Sequence, residues 1–325
     1  MNTLRELKKI TLLSMGVALL TTATMAESFK VLTPPDPNSI PLLVLEAKQK
    51  EFLGTDELIV AKAPSGDISA MKAIMNGKKA DVALFNFIAG GKFYSQGIKH
   101  LRLAGVHVWG GIGILSKDSI KKNDWSALKG TKGLAIPAIK TPPHMFGVSA
   151  MQKNGLNPKK DIKVAGMGPA VAFNTMSMAE RAPSFVFAPE PLLSIILFKQ
   201  QKDNWEQKYH LFADSSVAIT GKSGSMPLGA FWIINDNKNV DNLISGFEKS
   251  IAFINDPKNK KEVAKIVALG FNKYFAQKVP QKVFEDVLDA GVLKLDFRDS
   301  KTVKQQVTKF WDKKDIKVDE NIFYK

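Results

Sequence analysis

A Gly-containing turn, a short amphipathic helix and an apolar strand occur twice in this chain, a constant 102 residues apart. The first copy runs from Ser65-Gly66-Asp67 to Asp81-Val82-Ala83-Leu84-Phe85-Asn86, and the second from Met167-Gly168-Pro169 to Ser184-Phe185-Val186-Phe187-Ala188. The offset aligns Gly66 with Gly168, Ala70 with Ala172, Ala80 with Ala182 and Phe85 with Phe187. Each unit puts a helix N-terminus and a strand C-terminus at the same end, the edge at which open α/β sheets bind ligands. Two such edges turned toward each other make a cleft.

The chain opens with Arg5, Lys8 and Lys9, an apolar run from Ile10 to Leu20, and then Thr21-Thr22-Ala23-Thr24-Met25-Ala26. That order is the layout of a secretory signal, and its apolar core is too short for a permanent membrane span. Cleavage is expected after Ala26, which makes 1–26 a signal peptide and sends the rest to the periplasm. No later stretch is apolar for long enough to span a membrane. Roughly 300 residues remain, enough for two medium domains. The absence of cysteine removes disulfides and thiolate metal sites, and with no lipobox cysteine there is no lipid anchor.

The formal net charge is +15, of which the signal carries +2. An excess of this size can draw nucleic acid, anionic membrane or acidic solutes. A nucleic-acid reader wants a dense basic stripe with bidentate arginines. Here lysines supply nearly all the charge, spread thinly, and only Arg102, Arg181 and Arg298 follow the signal. A lysine-rich solvated surface is the reading, with no nucleic-acid partner.

Helix and strand patterns alternate from Phe29 onward, which calls for parallel sheets with helical crossovers. Strands are expected at Phe29–Leu32, Leu58–Ala61 (buried on both faces), Asp81–Phe85, His100–Val106 and a Gly-interrupted Val108–Leu115. A second set follows at Gly133–Ile136, Ile162–Ala165, Phe185–Phe187 and Tyr209–Ala213, and a return strand at Leu228–Ile234. Helices are expected between them, including Ile40 to about Phe52 and Pro142–Asn154, and everything after Val240 reads as helix. An α/β set enclosed by another set and a helical tail implies two lobes crossed twice, near Val106–Trp109 and Ala218–Ser225. The lobes are then 27–107 with 224–325, and 108–223, joined by a two-strand hinge.

Several segments in this order carry a family resemblance: Asn38-Ser39-Ile40-Pro41-Leu42, Ser65-Gly66-Asp67, Asn76-Gly77-Lys78-Lys79-Ala80-Asp81-Val82-Ala83, Gly111-Ile112-Gly113-Ile114-Leu115-Ser116-Lys117, Leu128-Lys129-Gly130-Thr131-Lys132-Gly133-Leu134-Ala135, Asn154-Gly155-Leu156-Asn157-Pro158 and Pro189-Glu190-Pro191. Over residues 29–235 the chain resembles the substrate-binding proteins of bacterial ABC importers in the nitrate, sulfonate, taurine and thiamine-precursor group. The resemblance implies the α/β two-lobed type II periplasmic-binding fold and a monomeric, non-enzymatic receptor that serves ABC permease subunits. Two places depart from the group's pattern. Arg181-Ala182-Pro183-Ser184 lacks its usual acidic residue, and Thr141-Pro142-Pro143-His144 replaces Gly, Ser or Thr donors.

Resemblance and strand-end geometry together expect a small-molecule ligand lined by Asn38, Ser39, Ser65, Gly66, Asp67, Asn86, Phe87, Trp109, Thr141, His144, Met145, Met167, Gly168, Phe187 and Glu190. Helix N-termini at Ser65, Thr141 and Gly168 favour an anionic group, but Pro142, Pro143 and Pro169 delete donors there. The rest of the lining is apolar and aromatic, with Trp109 able to stack on a ring or a quaternary amine. A sulfonate or related organic acid is one reading and an aromatic heterocycle such as a thiamine precursor another. Trp109 also reads as hinge packing, and Glu190 as a helix cap. Met176 and Met178 are two apart on a helix and do not face one metal, and no cofactor is implied. An enzyme on the same scaffold needs a nucleophile with its base or paired carboxylates, and Ser65, Asp67 and Glu190 do not form such a set in the sequence.

Overall fold

The computed structural model describes residues 26–64, 68–235 and 237–324. Apart from Ala26, the expected signal segment lies outside them. Two sheets organise the chain. The first contains β1 (Ser28–Thr33), β2 (Glu57–Lys62), β3 (Val82–Asn86), β4 (Arg102–Gly110), β10 (Pro227–Ile233) and β11 (Leu293–Asp299), in the order β11-β4-β10-β3-β1-β2. The second contains β5 (Ile112–Lys117), β6 (Lys132–Ala135), β7 (Lys163–Gly166), β8 (Phe185–Pro189) and β9 (Tyr209–Asp214), in the order β7-β6-β8-β5-β9. Strands β1, β2 and β3 run parallel, as do β6, β7 and β8.

Helices flank both sheets. Those that position the site are α1 (Ser39–Ala47), α2 (Gln49–Phe52), α3 (Ile68–Asn76), α4 (Phe87–Ser95), α5 (Pro142–Lys153), α6 (Pro169–Ser177), α7 (Leu192–Lys202) and α8 (Ser215–Thr220). The C-terminal region adds α9 (Asp241–Asn255), α10 (Lys260–Phe275), α11 (Gln281–Asp289) and α12 (Ser300–Asp312). In α9, Leu243, Gly246, Phe247, Ser250, Ile251 and Ile254 are buried, the spacing of a single helical face. Burial of each large side chain on such a face is worth about 1.5–3 kcal/mol. One core under the first sheet gathers Phe29, Phe231, Phe247 and Phe271, and another on that sheet gathers Phe87, Trp109, Trp232 and Trp311. Two smaller cores, built around Phe185 with Phe212 and around Val186 with Ile196, hold the second sheet.

The repeated unit appears as α3 with β3 in the first sheet and α6 with β8 in the second. The helices begin 101 residues apart and the strands 103, so the two copies differ by one residue on each side of the sequence offset. Three expectations are corrected. Strand β2 is not buried on both faces: it is a sheet edge paired only with β1, and Ile59 is 44% exposed. The C-terminal region is not all helix, because β11 adds to the open side of β4. The helix from Ile40 breaks at Lys48, where the backbone turns to φ −109°, ψ 22°.

Strand polarity settles how the two sheets meet. Strand β10 is antiparallel to both β3 and β4, so β4 ends at the edge where β1 and β3 end. Strand β5 is antiparallel to β8, and its first residue Ile112 sits opposite Pro189, at the edge where β6–β8 end. Only Gly111 separates β4 from β5. The strand-end edges of both sheets therefore meet at one crossover, and the chain returns between β9 and β10 through α8. Gly110 and Gly111 have φ +69° and +73°, the left-handed region that glycine enters freely. Gly110 N–H donates to Met226 O at 2.8 Å, and Gly111 N–H to Val292 O at 2.7 Å. A β-carbon on Gly110 would meet Val292 O at 2.6 Å.

Gly110→Ala is expected to destabilise the protein by about 1–3 kcal/mol through positive φ and that clash, lowering Tm by several degrees. Gly168→Ala has an ordinary φ of −63° and open space beyond the position, and is expected to leave Tm unchanged. Thermal melts of both variants check the contrast, and equal shifts would refute it.

Candidate ligand site

On the first lobe the turn after β1 is built by Pro34, Pro35 and Pro37, which fix φ and remove donors. Between them stands the half-buried Asp36. Its Oδ1 accepts from the Asn38 N–H at 2.9 Å and from Asn38 Nδ2 at 2.8 Å. Its carbonyl accepts from the Ser39 N–H at 3.0 Å and the Ser39 hydroxyl at 2.8 Å. The first N–H groups of α1 are thus consumed by the turn itself. Burial pushes the Asp36 carboxyl up to about 6, and the Asn38 bonds offset part of this.

Beneath the turn, Asn38 is 2% exposed and its Oδ1 has no hydrogen-bond partner. That oxygen rests on Gly229, where a β-carbon would come within 2.0 Å of it. His107 is fully buried and packs edge-on against Phe247 at 5.0 Å, with neither ring nitrogen in hydrogen-bonding geometry. Burial lowers its pKa to about 3, with the adjacent Asn38 backbone offsetting a little, so the ring is neutral. Asn86 closes the same edge by capping α4, its Oδ1 accepting from Ala89 N–H at 2.8 Å.

The second lobe differs. Thr141 donates its hydroxyl to Ala138 O at 2.6 Å, away from α5, so that helix has no side-chain cap. Pro142 and Pro143 bring no N–H, and Met145 N–H returns to Thr141 O at 2.9 Å, which leaves the His144 N–H without an intrahelical acceptor. Burial lowers the pKa of the His144 imidazole, which packs on Phe187. Helix α6 is also uncapped. After Pro169, the Ala170 and Val171 N–H groups are left without intrahelical acceptors. Beside these donors, Ile139 is 48% and Val171 59% exposed, with Lys140 exposed next to Ile139. Met167 is half-buried, and Gly168 is exposed.

The structure therefore brings Asn86, Thr141, His144, Met145, Met167 and Gly168 to the two facing edges. Ser65, Gly66 and Asp67 lie outside the described residues. Asn38 and Ser39 are at the edge but buried, with the Ser39 hydroxyl already spent on Asp36. Three expected wall residues are core residues instead. Phe87 is fully buried against Phe310 and Trp311, and Phe187 against Phe185 and Gly147. Trp109 is also fully buried; its Nε1 donates to Asp296 O at 2.7 Å, and the Arg298 guanidinium covers its ring at 3.8 Å. Its cation–π partner is the protein's own arginine, in keeping with the packing reading. Sequence reasoning missed Asp36, Ile139, Lys140 and Val171. The acidic residue set between prolines in the first strand-to-helix turn was the available signal for Asp36.

Glu190 is fully buried, and both its oxygens are taken by Ser194, from the N–H at 3.2 Å and the hydroxyl at 3.1 Å. It caps the first turn of α7 rather than facing solvent. Its N–H donates to Gly111 O at 2.8 Å, which ties it to the crossover. Burial pushes its carboxyl up to about 7; the Ser194 bonds oppose this, and the Asp286 charge adds to it. Two cavities, of about 340 Å3 beside Phe173 and Trp205 and about 350 Å3 beside Ile254 and Leu293, are lined by none of these residues. Among the described residues no group of three or more His, Asp or Glu is placed to hold a metal ion, and no helix is long and apolar enough to cross a membrane.

No protein-family model and no curated protein matches the chain. Solved structures do. The periplasmic aliphatic sulphonate binding protein SsuA from Escherichia coli aligns over 92% of each chain at 15% identity, TM-score 0.69. A ligand-binding component of an ABC-type import system from Staphylococcus aureus, with zinc bound, aligns over 92% of this chain and 96% of its own at 13% identity, TM-score 0.67. The periplasmic nitrate-binding protein NrtA from Synechocystis PCC 6803 aligns over 81% and 70% at 16% identity, TM-score 0.56. At these identities the likeness establishes the fold: the chain has the two-lobed architecture of periplasmic binding proteins.

A buried carboxyl held above its ordinary pKa stabilises the folded state most below about pH 4.5. That contribution is lost as pH rises toward the folded value of about 7, because the unfolded chain ionises first. Glu190→Gln keeps an acceptor for Ser194 and cannot ionise. It is expected to raise stability at pH 8 by on the order of 3 kcal/mol relative to wild type and to leave it nearly unchanged at pH 4.5. Urea melts at both pH values check this, and pH-independent differences would refute it.

Proposed function

We propose that this chain is an exported solute receptor, which takes a small organic molecule between its lobes and delivers it to the membrane subunits of an ABC importer. The observation that carries this reading is the single-residue crossover at Gly111, which sets the strand-end edges of both sheets against each other. Lobes hinged at that point close over whatever lies between their edges. The likeness of fold to import-system binding proteins supports it, and the signal-like first 26 residues support a periplasmic location. We take the lobes as those expected from the sequence, 27–107 with 224–325 and 108–223, but with the first boundary moved from 107/108 to Gly111, because β4 runs to Gly110 in the first sheet, and the receptor as a monomer.

The exposed Ile139 and Val171 suit an organic body better than bare nitrate. The free N–H groups of His144, Ala170 and Val171, with Lys140 beside them, suit an acidic group such as a sulfonate on the second-lobe side. Among the described residues at the two edges no paired carboxylates and no nucleophile–base set stand together, which favours binding over turnover.

Native mass spectrometry of freshly purified protein is expected to reveal a retained small organic solute. Adding that solute back to unfolded-and-refolded protein is expected to raise Tm and to reduce the radius of gyration in X-ray scattering; at 100 times Kd the stabilisation is about 2.7 kcal/mol. Neither retention nor closure with any of a panel of sulfonates, organic acids and heterocycles would overturn the receptor reading. Chemical conversion of a bound solute would favour an enzyme on this scaffold.

A further inference from the structure

The two edges differ in hydrogen-bonding sense. On the second lobe the ends of α5 and α6 are uncapped and leave N–H donors, whereas on the first lobe the N–H groups that open α1 are taken by the Asp36 carboxylate and carbonyl. Asp36 Oδ1 is occupied by both Asn38 donors, and Oδ2 has no hydrogen-bond or ion-pair partner among the described residues. No lysine or arginine described in the structure reaches Asp36, although the chain carries 46 of these residues. The Asn38 amide spends its Nδ2 on Asp36 and turns its Oδ1 inward onto Gly229, which leaves Asp36 Oδ2 as the free side-chain acceptor of this turn. A carboxylate with one free oxygen and no cation beside it repels a sulfonate or nitrate. It attracts a group that is all donor and positively charged.

We propose that Asp36 selects a ligand with a cationic nitrogen, an ammonium, amidinium or protonated amino-heterocycle, seated on the first-lobe edge against its free Oδ2. This rests on the receptor reading above and adds the charge of the solute's recognised end. An acidic or apolar remainder then faces the donors and exposed side chains of the second lobe, so the ligand is either a cation with an apolar body or a zwitterion. Asp36 stands half-buried, where its charge is screened less than at the surface, and is fixed by two hydrogen bonds. A cation arriving there finds a pre-positioned partner and needs no reorganisation of the turn.

Matched probe pairs that differ only in the nitrogen test this with the full protein: taurine and ethanesulfonate, putrescine and 1,4-butanediol, benzamidine and benzamide. At least one charged-nitrogen member is expected to raise Tm and to bind by calorimetry at least tenfold more tightly than its partner. Asp36→Asn is expected to weaken that binding at least tenfold while melting no lower than wild type without ligand, and Asp36→Glu to restore part of it. Equal binding within every pair, undiminished binding to Asp36→Asn, or no binding by any charged-nitrogen member overturns the proposal. If an anion retained during purification closes the lobes equally in wild type and Asp36→Asn, Asp36 selectivity fails and the receptor reading stands. If nothing is retained and nothing closes the lobes, both fail.

Discussion

The fold turns on one backbone constraint: β4 of one sheet and β5 of the other are separated by a single residue, and the two glycines at that point both sit at positive φ. A longer or more ordinary connection would let the second sheet settle in many orientations. Here Gly110 and Gly111 donate to Met226 O and Val292 O, and Gly111 O receives the Glu190 N–H. The crossover is thus gripped by the return segment, by the loop before β11 and by the end of β8. Because β4 leaves the first sheet at the edge where β1 and β3 stop, and β5 joins the second where β6–β8 stop, the helix-bearing edges have no choice but to meet. Ser223 reinforces the return side, with its Oγ 2.7 Å from both Asp214 Oδ2 and Gly291 O.

Given that arrangement, the chemistry of the gap follows from how each helix end is finished. Open α/β sheets offer N–H groups at these ends. This chain closes several of them with its own acceptors: Asp36 at α1, Asn86 at α4, Glu190 at α7 and Asp214 at α8. The prolines at α5 and α6 do the opposite, removing some donors and leaving the remainder without a side-chain cap. Both of these ends are on the second lobe and Asp36 is on the first, so the open donors of α5 and α6 and the free carboxylate oxygen lie on different lobes.

Much of the architecture was legible in the sequence because alternation and Gly-Pro punctuation are local. The repeated helix–strand unit, the glycine-interrupted strand and the alternating pattern placed most elements within a few residues. Strand β11 was missed because Leu293, Leu295 and Phe297 alternate for only a few residues inside a region otherwise amphipathic at helical spacing; pairing with β4, a long-range contact, decides the matter. The aromatic wall was misjudged for a related reason. Phe87 and Trp109 were placed at the edge by their position in the chain, but the direction of a side chain depends on what packs against it. Trp311, Phe310 and Arg298, more than 180 residues away, draw both inward. Adjacent Val108 and Trp109 fall in different cores of the first lobe.

Contacts already bridging the lobes limit how they can move. Phe146 of α5 meets Phe310 of α12 at 6.1 Å, and Met145 packs on the first lobe's aromatic core. On another side, Ile195 and Phe198 of α7 pack on the large core to which Val283, Phe284 and Val287 of α11 belong. Both bridges are apolar and lie on helices that also contact the crossover strands or their caps, so opening them fully would expose side chains that are now buried. The edges that carry Asp36 and Val171 have no such apolar bridge between them among the described contacts, so relative movement of the two sheets disturbs the least buried surface there.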